Sequence, residues 1–285
     1  MAANFFVGIG SAKSGTSWLA EYLREHPEVA MSPIKELHYF DAKYCSELCG
    51  HWDDDWRTIQ SELLAKIALQ STPQLQEKLR CVSLRLEMIR DQNTYKQYFE
   101  HIIQPGHRAF GEITPSYSML PANGFSGIES LYPGAKYIFI MRDPVERYLS
   151  HIRFTQKMQA AQGRAIKKDF DANRQAREKL SNVQFMRRAD YTTTIETLLS
   201  ITDEENLCVL FYENLFDEKL SRDELGRLCD FLDIDFRTAQ TSIKINATDA
   251  VSFSEEVRRA IREHFSPIYD FIHHKYDSRV PACWQ

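Results

Sequence analysis

The run Phe5-Phe-Val-Gly-Ile-Gly10 is apolar to its end and gives way at once to Ser11-Ala-Lys-Ser-Gly-Thr16, which is small and polar. Beyond it Trp18, Leu19, Tyr22 and Leu23 recur at helical spacing, with Pro27 as a stop. A short strand without a polar face is buried on both sides. One that feeds a helix through a tight loop is the first half of a β-α-β unit, which commits the chain to a parallel sheet. Val29–Met31, Ala109–Glu112, Lys136–Met141 and Leu207–Tyr212 read as further strands. Residues 41–105 are mostly polar and helical in pattern, and Asp217–Leu232 and Ser254–Ile272 read as amphipathic helices. Asp143 and Pro144, just after a strand, read as the cap and first turn of another helix.

Strands alternating with helices predict an α/β protein, a P-loop-like three-layer fold with a central parallel sheet flanked by helices. The 285 residues, 43% hydrophobic and 26% charged, are expected to form a single domain, 1–285, with a sizeable core. A net charge of −5 advertises neither nucleic acid nor membrane as a partner, so any basic site has to be local. One stretch stands out: 155–188 holds nine lysines and arginines against three acids, +6 in a chain whose remainder is −11. It reads as a basic helical insertion or lid, with Arg164, Lys167 and Lys168 at its centre, that would attract an anionic partner. The first ten residues lack the basic region of a signal peptide, and no run nears the roughly 18 apolar residues of a membrane span. The expected location is the cytoplasm, with all six cysteines as thiols. Cys45 and Cys49 have ligand-like spacing but no matching second pair, and Asp53, Asp54 and Asp55 after His51 read as the start of a helix near Trp56. No metal is expected.

The loop after the first strand is built for an anion, since glycine lets the backbone curl and the helix N-terminus presents free amides. A nucleoside-triphosphate loop runs G-x-x-x-x-G-K-[ST]; here Lys13 precedes Gly15 by two residues, and no acidic strand end suited to magnesium follows. That order suits a phosphosulfate better than a triphosphate. Three segments then carry a resemblance. Ser11-Ala-Lys-Ser-Gly-Thr-Ser-Trp18 is similar to the 5′-phosphosulfate loop of the sulfotransferases that use 3′-phosphoadenosine-5′-phosphosulfate (PAPS). Ile140-Met-Arg142-Asp-Pro-Val-Glu-Arg-Tyr-Leu-Ser150 resembles their 3′-phosphate segment. Val209-Leu-Phe-Tyr212-Glu-Asn-Leu215 resembles a third recurrent strand usually ending Y-E-D-L, with Asn214 in place of the aspartate.

The resemblance implies that Lys13, Ser14, Gly15, Thr16, Ser17 and Trp18 hold the 5′-phosphate and the bridging oxygen. Arg142 and Ser150 would grip the 3′-phosphate, Tyr212 would touch the adenine edge, and Lys244 would serve a lid over the 3′ end. PAPS would be the donor and adenosine 3′,5′-bisphosphate the product, without a metal. Lys35-Glu-Leu-His-Tyr-Phe40 resembles K-E-x-H-F-F of carbohydrate sulfotransferases, which makes Glu36 the first candidate base and His38 the second; read as strand-like, the segment would put both on one face. Glu112, third, opens Gly-Glu-Ile-Thr-Pro-Ser-Tyr117, similar to G-E-K-T-P-x-Y with Ile113 in place of the lysine. The acceptor would be a small-molecule or carrier-bound hydroxyl, anionic if the basic stretch serves it. The alternatives are a P-loop small-molecule kinase and a non-catalytic nucleotide-binding module.

Overall fold

A computed structural model describes residues 3–50, 52–161, 171–239 and 252–284. Lys244, and Arg164, Lys167 and Lys168 at the centre of the basic stretch, lie outside the described residues. Five parallel strands, β1 (Asn4–Gly10), β2 (Val29–Met31), β3 (Ala109–Ile113), β4 (Lys136–Met141) and β5 (Leu207–Phe211), form a sheet in the order β2-β3-β1-β4-β5. All five had been expected, each within one or two residues.

Because side chains alternate along a strand, each strand divides its residues between two cores. Phe5, Val7, Tyr137, Phe139, Val209 and Phe211 enter one core, with the helices Asn93–Ile102, Ala122–Leu131, Tyr191–Leu199 and Ser266–Tyr276. Phe6, Ile138, Ile140 and Leu210 enter the other, beneath the helices Thr16–Arg24 and Ser221–Leu232. Phe6 and Phe139 are completely buried on opposite faces, and each contributes roughly 1.5–3 kcal/mol by leaving water. The result is three layers.

The strand order places the candidate site. The connection leaving β1 returns on the β3 side, whereas β4 lies on the opposite flank of β1. Ligands of open parallel sheets bind at such a switch, beyond the carboxyl ends of the strands. The loop after β1 and Arg142 after β4 both lie there, joined by the Ser11 amide, which donates to the Ile140 carbonyl at 2.8 Å.

Several expectations need correction. The helix expected over 254–272 is two, Glu255–His264 and Ser266–Tyr276, because Pro267 has no amide to continue the first and instead occupies the opening turn of the second. Tyr212 begins a short helix, Tyr212–Leu215, rather than ending β5. The helix near Trp56 starts at Trp52, with all three aspartates in its first turn, where its dipole favours them. The segment 34–40 is not strand-like: Glu36 and His38 take left-handed backbone angles, φ 57° and 50°. Within the basic stretch, the described residues after 170 are packed down. Tyr148 donates to the Ala176 carbonyl at 2.7 Å, and Arg177 pairs with Glu256 at 2.7 Å.

Candidate active site

Gly15 caps the helix Thr16–Arg24 with φ 83°, and a Cβ there would lie 3.1 Å from the Phe216 ring and 3.2 Å from the Tyr212 ring. Only glycine suits both the angle and the space. The amides of Gly15, Thr16 and Ser17 open the helix, where no carbonyl of its own is placed to accept from them. The Trp18 amide donates to the Gly15 carbonyl at 3.0 Å, and its ring is buried against Tyr22 and Phe216. Ser14 is also turned inward, its hydroxyl 2.6 Å from that of Ser11. Both brace the loop.

Arg142 lies across this loop. Its Nη1 donates to the Lys13 carbonyl at 3.0 Å, its guanidinium stacks 4.6 Å from the Tyr212 ring, and its Nε is buried without a partner. Ser150 is buried two turns into the next helix, Pro144–Ala161. The Lys13 ammonium rests on the Phe154 ring at 4.2 Å. Burial, then Arg142 and Lys35, lower its pKa to about 8. An incoming anion would favour the charged form, so above that pH binding requires uptake of a proton. Once the ligand's phosphates are fully ionised, affinity for adenosine 3′,5′-bisphosphate is therefore expected to hold from about pH 7 to 7.5, then to fall by up to about tenfold per unit above 8. Calorimetry in buffers of different ionisation heat reads the proton uptake directly, and a flat affinity from pH 7 to 9.5 would contradict the coupling.

The segment after β2 brings a second set of groups. His38 Nδ1 lies 2.7 Å from Asp41 Oδ2, His38 Nε2 lies 3.4 Å from Glu36 Oε2, and the ring stacks on Trp52 at 3.7 Å. Burial opposes charge on His38, but its contacts with Asp41 and Glu36 outweigh this and raise its pKa. Burial would likewise raise Glu36, yet His38 and Lys35 hold that carboxyl below its ordinary range. Each of the two groups thus favours the charged form of the other.

This segment is held from beneath. Arg85, fully buried, donates to the Leu37 and His38 carbonyls at 2.6 Å each and to Asp53 at 3.1 Å. The Tyr117 hydroxyl accepts the Tyr39 amide at 3.0 Å. Glu112, the third candidate base, is fully buried and accepts from Tyr95, Tyr117, Thr114 and the Leu37 amide. Both of its oxygens are engaged, and through the Leu37 amide it braces the segment that carries Glu36. Ile113 points to the opposite face, into the core with Leu19 and Met31.

Asp41, Arg85, Trp52 and Tyr191 were not anticipated. Tyr191 lies under the phosphate loop, donating to the Arg142 carbonyl at 2.7 Å. Asp41, three residues after His38, had a local signal; the others arrive from distant helices. Among the described residues no group of three or more His, Cys, Asp or Glu could hold a metal. Cys45 and Cys49 are buried, with Cys45 directed to the Met119 carbonyl at 3.4 Å. Among the described residues no helix is long and apolar enough to cross a membrane.

Residues 5–238 match the Sulfotransferase family, and the chain belongs to that family. A stretch of 151 residues, 53% of the chain, is 27% identical to the membrane-associated sulfotransferase kil1 of Dictyostelium discoideum, and the match spans only 22% of that protein. In fold the chain is similar to a sulfotransferase from Alicyclobacillus acidocaldarius, with a TM-score of 0.65 at 22% identity over 100% of this chain and 99% of that one. Sulfotransferase STF9 from Mycobacterium avium aligns with a TM-score of 0.51 at 13% identity, over 95% of this chain and 77% of that one.

Proposed function

We propose that the chain moves a sulfuryl group from PAPS to an acceptor hydroxyl in one in-line step, with Glu36 as the general base. What supports this reading is the placement of two loops: Lys13 follows β1 and Glu36 follows β2, both beyond the carboxyl ends of parallel strands, and Glu36 is among the charges that act on the Lys13 ammonium. On this reading the nucleotide loop and the candidate base border one cleft. The amides of Gly15, Thr16 and Ser17 would hold the 5′-phosphate, and Arg142 and Ser150 the 3′-phosphate, with Tyr212 beside the adenine. The orphaned Arg142 Nε fits such an anion. The new bond forms between acceptor oxygen and sulfur as the bond from sulfur to the bridging oxygen breaks. The acceptor's proton passes to Glu36, and the charge gathering on the departing phosphate oxygen is met by Lys13. His38, held by Asp41, favours the ionised form of Glu36 and keeps it in place.

We read 1–285 as one domain working in the cytoplasm, with a small-molecule or carrier-bound hydroxyl as acceptor. Calorimetry with adenosine 3′,5′-bisphosphate and with ATP, both without Mg²⁺, tests the class. Tight binding of the bisphosphate alone is expected, whereas preference for ATP would favour a kinase. Arg142→Ala is expected to weaken the bisphosphate by about ten- to a hundredfold, the loss of roughly 1.5–3 kcal/mol for a charge-assisted contact. Because the 3′ end is remote from the sulfur, turnover at saturating donor should change little. Undiminished affinity would remove Arg142 from the 3′ site.

A further inference from the structure

The helix Pro144–Ala161 carries Arg147, His151 and Phe154 at spacings of four and three, so they share one face. Arg147 is completely buried. Its Nη2 donates to the Phe185 carbonyl at 3.4 Å, while Nε and Nη1 have no partner. The His151 ring stacks on Phe185 at 4.2 Å, and its Nδ1 is also buried without a partner. Arg188, three residues beyond Phe185, completes the group and bears on both Arg147 and His151. The charges and dipoles that act most on Arg147 are Tyr191, Arg188, Tyr148 and Arg142, none of them a carboxylate.

A buried cation without a counter-charge is strongly destabilising. Here a guanidinium is joined by a second and by an imidazole that burial and the surrounding cations keep neutral. Hydrogen-bonding atoms left open in such a group call for an anion. Its place is also defined. Lys13 acts on His151, and its ammonium lies on Phe154, while Glu36 and Asp41 act on Arg188. Phe154 shares the face of Arg147 and His151, so the group borders the nucleotide loop on the side of Lys13, with Ser150 of the same helix nearby.

We propose that Arg147, His151 and Arg188 form an internal subsite for an oxyanion carried by the acceptor, a carboxylate or a phosphate monoester, which fixes a hydroxyl elsewhere on that molecule in front of Glu36. The word acceptor rests on the sulfotransferase reading above; binding of an oxyanion does not. Full burial of Arg147 limits the group to a small one on a slender stem.

The test uses the full chain saturated with adenosine 3′,5′-bisphosphate and titrated with inorganic phosphate or with acetate, followed by calorimetry and melting temperature. One of the two anions is expected to bind, and the stronger one assigns the acceptor's group. Arg147→Met and Arg188→Gln are each expected to weaken that binding by about tenfold or more, as loss of a charge-assisted contact would, with bisphosphate affinity retained. Arg147→Met should also raise the melting temperature of the anion-free protein, which loss of a structural arginine would not do. If it fails to fold, the less buried Arg188→Gln carries the comparison. Overturning results are no binding of either anion to the wild type, binding that survives Arg188→Gln, or binding lost only in Lys13→Met. Should the bisphosphate itself fail to bind, the donor reading falls, and the same titrations on the free protein judge the subsite separately.

Discussion

Lys13→Ala is expected to lower turnover at saturating PAPS by about two to three decades, equivalent to the roughly 3–4 kcal/mol of one well-placed donor to a developing anion. The affinity for adenosine 3′,5′-bisphosphate should fall far less. The reason lies in when the charge is needed. In the bound donor the bridging oxygen shares its electrons with sulfur and carries little charge; it becomes anionic only as that bond breaks. Contacts that strengthen in the transition state act on turnover, whereas uniform contacts act on affinity. Lys13 is positioned beforehand by its place on Phe154 at 4.2 Å and by a loop whose carbonyl is held by Arg142. Single-turnover rates with PAPS, set beside calorimetry with the bisphosphate, separate the two quantities. Equal losses in both would assign Lys13 to simple phosphate binding.

Glu36→Gln is expected to lose about 10²–10⁴-fold in turnover, the usual range for a general base, with donor affinity near that of the wild type. The carboxamide keeps the shape and still reaches His38, but it cannot take up a proton. His38→Ala should cost less, since the carboxylate survives and loses only its charged neighbour. The wild-type profile follows from the two pKa directions. With Glu36 held below its ordinary value, the acid limb of turnover should fall below about pH 4.5. In His38→Ala that limb should move up, because removing the imidazolium takes away what lowers the carboxyl. A Glu36→Gln enzyme near full rate beside an inactive His38→Ala would falsify this assignment and make the imidazole the base.

The strands were legible because burial on both faces leaves a continuous apolar run that few other elements produce. The nucleotide loop was legible because glycine and lysine at fixed offsets from a strand end have a specific mechanical meaning. The base segment was legible only in composition. Glu36 and His38 do meet, but through two left-handed residues rather than the alternation of a strand, which no local pattern announces. What fixes them was hidden because it is tertiary: Arg85 is 47 residues from the His38 carbonyl it holds, and Tyr117 is 78 from the Tyr39 amide. The Arg147, His151 and Arg188 group combines one helix with a segment almost forty residues on and had no signature of its own.

The left-handed angles at Glu36 and His38 bear on how relatives should be sorted. Neither residue suits that conformation, which costs an L-amino acid roughly 1–2 kcal/mol and glycine almost nothing. A lineage released from catalysis should drift toward glycine or asparagine at both positions and become more heat-resistant by doing so. Glutamate and histidine persisting together at these two backbone angles would then distinguish working enzymes from descendants that have kept only the fold.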